Sequence, residues 1–258
     1  MFKRKTQLEK ELELLKKQED AYIQKHMNKT DSKLNQLLED KVPEKLQTTL
    51  DTAFAQAFTV IFEKGTGIIE KTYKKETLEQ NYQINEYAAS VKHDRKSLKT
   101  FSKKASGSAN LNLMLSGVSG VGLGILGIGI PDIALFTGLL LKSLYEMALH
   151  YGFSYEEDSE KRFILLLIQG ALSHDEELLT VNTLIDQYIQ TGSFSSDIEL
   201  SACIDQTAAC LSKELLYMKF LQGIPIVGAA GGAFDAIYMK RINKYAELKY
   251  RKRFLFSR

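Results

Sequence analysis

Asp132 and Asp235 are the residues of this 258-residue chain whose types and setting could do chemistry. Each follows a glycine-rich apolar run, and each opens a stretch of helical periodicity. Two carboxylates brought side by side could split their proton affinities and divide acid and base roles, or share a divalent ion through oxygen ligands. Placed in the first turns of two separate helices, the same residues would do something plainer and neutralise the positive end of each dipole. Both readings are open, so a hydrolase-type enzyme or ion-binding protein using paired Asp132 and Asp235 stands as one hypothesis. It lacks a recognisable nucleophile. Ser116-Gly117 and Ser119-Gly120 have no G-x-S-x-G frame, and no Gly-Lys-Ser/Thr follows the glycines, which excludes a Walker A loop.

Glu146, His150, Tyr151 and Arg162 could line a cleft beside Asp132; the plainer reading is a polar helix end with ordinary capping contacts. The histidines at 26, 93, 150 and 174 cluster neither with each other nor with cysteine at zinc-like spacing, so no metal site and no cofactor is expected. Cys203 and Cys210 stand seven apart on one helical face. That spacing suits small buried apolar residues in a reducing compartment better than a disulfide.

The element that must position the first aspartate is the stretch Ala109 to Leu141, whose single charge is Asp132. Its 23 uncharged residues from Ala109 to Pro131 are long enough to cross a bilayer as a helix. Gly117, Gly120, Gly122, Gly124, Gly127 and Gly129 interrupt it, at about 1 kcal/mol each in a water-exposed helix. Helix there requires close packing or lipid, and Gly120 with Gly124 has the GxxxG spacing of close helix contact in membranes. A second, shorter copy runs uncharged from Phe220 to Phe234, 15 residues, before Asp235. Aligning the two aspartates also aligns Gly129 with Gly232 and Gly120 with Gly223. Gly120, Gly124, Gly127 and Gly129 are therefore candidate membrane contacts of a hairpin that either enters lipid or is buried in protein.

Three prolines and few β-branched clusters predict an all-α, single multi-helix domain: an N-terminal charged helical arm over residues 1–30, then a helical domain over 31–258. Leu8, Leu12 and Leu15 give the arm barely two heptads, which predicts packing on the body rather than a coiled coil. A turn at Asp31-Ser32 caps a helix through Leu34, Leu37 and Leu38. Pro43 starts the next, whose stripe of Leu50, Phe54, Ala57, Phe58, Ile61 and Phe62 is core, ended or bent by Gly65 and Gly67. A polar helical stretch follows over 68–104. Pro131-Asp132 opens a helix apolar on nearly all sides from Ile133 to Leu141, with Lys142 and Glu146 as an i,i+4 pair near its end. Ser154 and Glu157 predict a capping box before the run Phe163 to Ile168. Further helices are expected at about 175–190, at about 197–221, and from Asp235 onward.

Charge is uneven along the chain. Residues 1–104 carry +5 (21 basic, 16 acidic), 105–239 carry −10 (5 and 15), and 240–258 carry +7 (8 and 1). The last helix bears Lys240, Arg241, Lys244, Arg251, Lys252 and Arg253 beside Tyr238, Phe254 and Phe256, the composition of an interfacial membrane helix and also of an outer bundle helix. The six cations are candidate contacts with an anionic membrane surface. Charged residues follow Met1-Phe2-Lys3-Arg4-Lys5 where a signal peptide would be apolar, which predicts residence in the cytoplasm. An acidic middle without a basic-aromatic sheet or recognition helix argues against nucleic acid as partner.

Several blocks in order resemble the EcsC family of bacterial proteins. They are VPEKLQTTLDTAFAQAFTVIFEKG, the glycine-rich run closing on Gly129-Ile130-Pro131-Asp132, Leu144-Tyr145-Glu146 through His150-Tyr151-Gly152, the acidic loop before Lys161-Arg162-Phe163, and Gly223-Ile224-Pro225 through Gly232 to Asp235. The resemblance spans roughly residues 40–250. It implies a link to an ABC transporter and protein secretion, and it supplies no catalytic residues, the family's own activity being unassigned. The expectation is thus a cytoplasmic accessory or regulatory protein, peripheral at the inner face of the cell membrane. The enzyme or ion-site reading on Asp132 and Asp235 is its alternative, and a pure protein-interaction module is a third.

Overall fold

The computed structural model describes residues 5–27, 43–92, 131–194, 198–221 and 233–258. Among them every regular element is helical: α1 (Gln7–Met27), α2 (Glu44–Val60), a π-helical turn (Ile61–Gly65), α3 (Thr66–Glu70), α4 (Lys75–Lys92), α5 (Pro131–His150), α6 (Asp158–Leu172), α7 (Asp175–Thr191), α8 (Leu200–Leu221) and α9 (Ala233–Phe256). The Asp31-Ser32 turn, the helix through Leu34 and Leu38, and the glycine-rich stretches before Pro131 and Ala233 lie outside the described residues.

The core is centred on α5 and α6. Every residue from Phe163 to Leu172 is buried, so α6 is enclosed all round as its unbroken apolar run requires. By length and composition α5 could cross a membrane, yet 83% of Ile133–His150 is buried inside the protein. Its Leu140, Leu141, Leu144 and Ala148 are wholly buried. Pro131 is its first residue, a position where the missing N–H costs nothing. Gly170 lets α9 approach α6 closely, since a Cβ there would lie 2.7 Å from Cε1 of Tyr245.

Side-chain pairs fix how the helices run. Ser143 donates to Asn243 at 2.9 Å, and Tyr151 stacks beside Tyr250 and Phe254, so α5 and α9 run parallel. Antiparallel to α9, α6 pairs Glu160 with Arg253 and Leu172 with Arg241. In α8, Glu214 meets Tyr238 near the start of α9, so the C-terminal part of α8 shares that end. Running antiparallel to α9, α1 brings Glu11 to Arg251 and Tyr22 to Tyr245. One end of the bundle therefore gathers the starts of α5, α7 and α9 and the finishes of α1, α6 and α8.

Two local expectations meet a different outcome. The Ser154–Glu157 capping box does not form: Glu157 is itself the residue before α6, without a side-chain cap, and the Ser154 hydroxyl accepts from the Glu156 N–H at 3.4 Å. At Gly65 the α2 helix neither stops nor simply bends. It widens into the π turn Ile61–Gly65 and continues as α3, with Thr66 Oγ1 donating to the Ile61 carbonyl at 3.0 Å. The polar stretch after it breaks at residues 71–74 before α4 begins. There Tyr155 donates to Glu70 at 2.6 Å and receives from Tyr73 at 2.7 Å, clasping the α3–α4 corner to the loop after α5.

Candidate functional site

Helix parallelism carries positions 132 and 235 to the same end of the bundle, each in the first turn of its helix. The side chains of Asp132 and Asp235 lie outside the described residues, as do Gly120, Gly124, Gly127 and Gly129. Within two turns of position 235, the described residues hold a polar network made by four elements. Arg241 of α9 donates through Nη2 to the carbonyls of Leu172 at 3.1 Å and Ser173 at 3.4 Å, and lies 3.3 Å from the His174 ring. Glu214 of α8 sits 3.9 Å from Arg241 and 3.6 Å from His174, and accepts from the Tyr238 hydroxyl. From α1, Tyr22 stacks on His26 at 4.2 Å, and the His26 ring lies 6.5 Å from that of His174.

The electrostatics follow from burial and these contacts. Burial pushes the Glu214 carboxyl up, but hydrogen bonds from His174 and Tyr238 and the Arg241 charge outweigh it and hold the group below the ordinary carboxylate range. Burial lowers the His26 pKa, helped by Arg241 and His174 and opposed by the bond to the Tyr22 carbonyl. Burial and then Glu214 raise Tyr238. Arg241 Nε and the Ser173 hydroxyl are buried and make no hydrogen bond among the described residues. The network is thus a charge-balanced Arg–Glu anchor with two imidazoles beside it. A proton taken up by His26 adds positive charge near Arg241. The sequence reading kept the histidines apart; His26 and His174 meet because α1 folds back antiparallel, which no local spacing announces. Among the described residues no group of three His, Cys, Asp or Glu side chains could hold a metal.

The four cleft candidates do not gather beside position 132. Glu146 stands fourteen positions after Asp132 in one continuous helix, about 21 Å at 1.5 Å per residue, and His150 and Tyr151 lie farther still. Glu146 pairs with Lys142 at 4.0 Å, the expected i,i+4 pair, and burial raises its pKa. His150 and Tyr151 are buried. Arg162 donates to the Ile198 carbonyl at 2.8 Å and covers the Phe194 ring, tying α6 to the residues before α8.

The six C-terminal cations divide in two. Lys240 and Lys244 are exposed, Lys244 pairing with Glu247 of its own helix at 3.4 Å. The other four are turned into the protein. Arg241 belongs to the network above, Arg251 pairs with Glu11, Lys252 with Glu19 and Asp186 at 2.9 Å each, and Arg253 with Glu160 at 2.5 Å. Lys249, wholly buried, joins Glu19 and, at 2.7 Å, Asp186. The partners lie up to 240 residues away in sequence, which is why the basic tail read as a free face.

The sequence matches the profile of the EcsC protein family over residues 5–255. It is also similar to Protein EcsC of Bacillus subtilis (strain 168), 26% identical over 184 residues, which make up 70% of this chain and 67% of that protein. No solved structure matches the chain.

Proposed function

Since this chain belongs to the EcsC protein family, we propose that it is a helical accessory or regulatory protein held peripherally at the anionic inner face of the bacterial cell membrane, beside an ABC transporter or secretion machinery. The observation carrying this reading is the parallel course of α5 and α9, because it brings the first turns of both helices, each preceded in sequence by a glycine-rich apolar run, to one end of the bundle. On α9 the exposed residues Ile237, Lys240 and Lys244 follow one another at three- and four-residue spacing, so an apolar group and two cations share a face beside that end. Each such cation contributes about 1 kcal/mol near an anionic leaflet. Helix α5 takes no part in insertion in this reading, being the protein's own core.

The test is sedimentation of the full chain with phosphatidylcholine vesicles, with and without phosphatidylglycerol. Binding should need the anionic lipid and should weaken in Lys240→Glu/Lys244→Glu. A protein that ignores both vesicle types would refute the reading. The parallel register also favours the alternative, an ion-binding or hydrolytic pair at Asp132 and Asp235. Calorimetric titration of the full chain with Mg²⁺ or Ca²⁺ decides it: heat lost in Asp132→Asn and Asp235→Asn would support the pair, and no heat in the unaltered protein would retire it.

A further inference from the structure

We infer that α1 is a releasable acidic cover over a cationic face of α9, and that an anionic lipid surface competes with α1 for that face. The inference rests on the membrane reading above and adds its regulation.

The buried stripe of α1 is half ionic. Its inward positions are Glu11, Leu15, Glu19 and Tyr22, and the two glutamates are 1% and 7% exposed. A helix that served only as permanent core would gain more from apolar residues at those sites, because burying an ion pair repays little beyond its desolvation cost; the best-attested use of such pairs is registry or switching. Both inward carboxylates of α1 meet cations of α9. Glu11 takes Arg251, with Gln18 accepting from the same guanidinium at 3.2 Å, and Glu19 takes Lys249 and Lys252.

What α1 covers is continuous with what is already exposed. At 100° per residue, Lys240, Lys244 and Arg251 fall within about 40° of one another around α9. The first two are exposed, Lys244 within 3.4 Å of Glu247 one turn on, and the third lies under Glu11. Lifting α1 removes both described partners of Arg251 and leaves Lys249 and Lys252 with Asp186 alone. Three cations against one carboxylate leave the surface vacated by α1 with a charge of +2, Arg251 on the Lys240–Lys244 stripe and Lys249 and Lys252 on the flank toward Asp186 of α7, with Phe256 already 52% exposed. That face suits a bilayer that is anionic at its surface and apolar beneath it.

The experiment uses the full chain and vesicles of phosphatidylcholine with or without phosphatidylglycerol. Glu11→Gln/Glu19→Gln keeps the shape of α1 and removes the charges that hold it. With about 1 kcal/mol per cation, two net charges should raise partitioning onto the anionic vesicles roughly 30-fold and leave neutral vesicles unchanged. Adding Arg251→Gln/Lys252→Gln should abolish the gain. In the unaltered protein, amide exchange across Gln7–Met27 should accelerate when anionic vesicles are added, a readout that needs no variant to fold. Unchanged partitioning of the double variant, a gain that survives loss of Arg251 and Lys252, or α1 amides that stay protected on the vesicles would each overturn the cover while the membrane reading stands. If neither the unaltered protein nor the variants bind, both fall together.

Discussion

Replacing Arg253 by Met should cost up to about 5 kcal/mol at pH 7, and the cost should shrink as the solution is acidified. Glu160 is 2% exposed, and its carboxylate is held by Arg253 at 2.5 Å and by the Tyr250 hydroxyl at 2.7 Å. Burial already raises its pKa, with Arg253 and Tyr250 pulling against that rise. Without the guanidinium the buried carboxylate has no cation. The charge penalty then has a ceiling, because the group can escape by protonating. From an unfolded value of 4.5, staying neutral in the folded state at pH 7 costs about 3.4 kcal/mol, and the loss relative to the unaltered protein is that figure less what its own raised pKa already costs. The guanidinium also lies 3.9 Å from the Phe153 ring centre and 4.9 Å from that of Tyr188, contacts together contributing about 2 kcal/mol in a desolvated site.

For a chain of this length, about 5 kcal/mol lowers Tm by roughly 10 °C. The sign of the pH dependence is fixed. In the variant the folded pKa of Glu160 lies further above the unfolded one than in the unaltered protein, so the deficit falls by up to about 1.4 kcal/mol per unit below pH 7 and levels off once the native carboxyl also protonates. Urea titrations of the variant and the unaltered protein at pH 7, 6 and 5 measure this. Pairing Arg253→Met with Glu160→Gln should recover most of the charge component at pH 7. A deficit constant from pH 7 to 5, or a double variant no more stable than Arg253→Met, would refute the electrostatic account and leave only lost packing.

Gly152→Ala should destabilise strongly, since its φ is +82° and a Cβ would lie 2.2 Å from Cζ of Tyr82, whereas Gly67→Ala in α3, with nothing within 4 Å, should raise stability by up to about 1 kcal/mol; thermal melts compare them. The lowered pKa of His26 means that the unfolded chain binds the proton more readily, so stability should fall as pH drops below 6.5, and His26→Phe should flatten that part of a Tm-against-pH profile. Burial raises both thiols, Cys210 to about 12, so native protein at pH 8 should react with a disulfide reagent far more slowly than denatured protein.

Much of the helix inventory is legible in local sequence. Pro131 marks the start of α5, Lys142 and Glu146 sit one turn apart, and the apolar run from Phe163 reads directly as a buried helix. Contacts made across the chain are not legible in this way. Glu11 and Glu19 look like surface charges of a charged arm, and their burial is set by cations more than 200 residues later. The same distance hid the meeting of His26, His174, Glu214 and Arg241. It also turned a basic tail that suggested a lipid-facing surface into one whose cations mostly bind the protein's own carboxylates. The Ser154–Glu157 motif fails for the converse reason: the local signal is present, but Glu157 stands immediately before the helix rather than three residues inside it.

The order in which the helices are made bears on α5. Its apolar surface is completed by α9, through Asn243 against Ser143 and Tyr250 against Tyr151, and α9 is synthesised about a hundred residues later. At 5–20 residues per second, a segment with the length and composition of a membrane span stands incompletely covered beside the ribosome for roughly 5–20 seconds. During that interval α5 is covered only by helices made earlier, α2 and α4 among them, and its face toward α9 stays open. The C-terminal helix is thus the element that ends this exposure, and truncation before Ala233 would prolong it indefinitely.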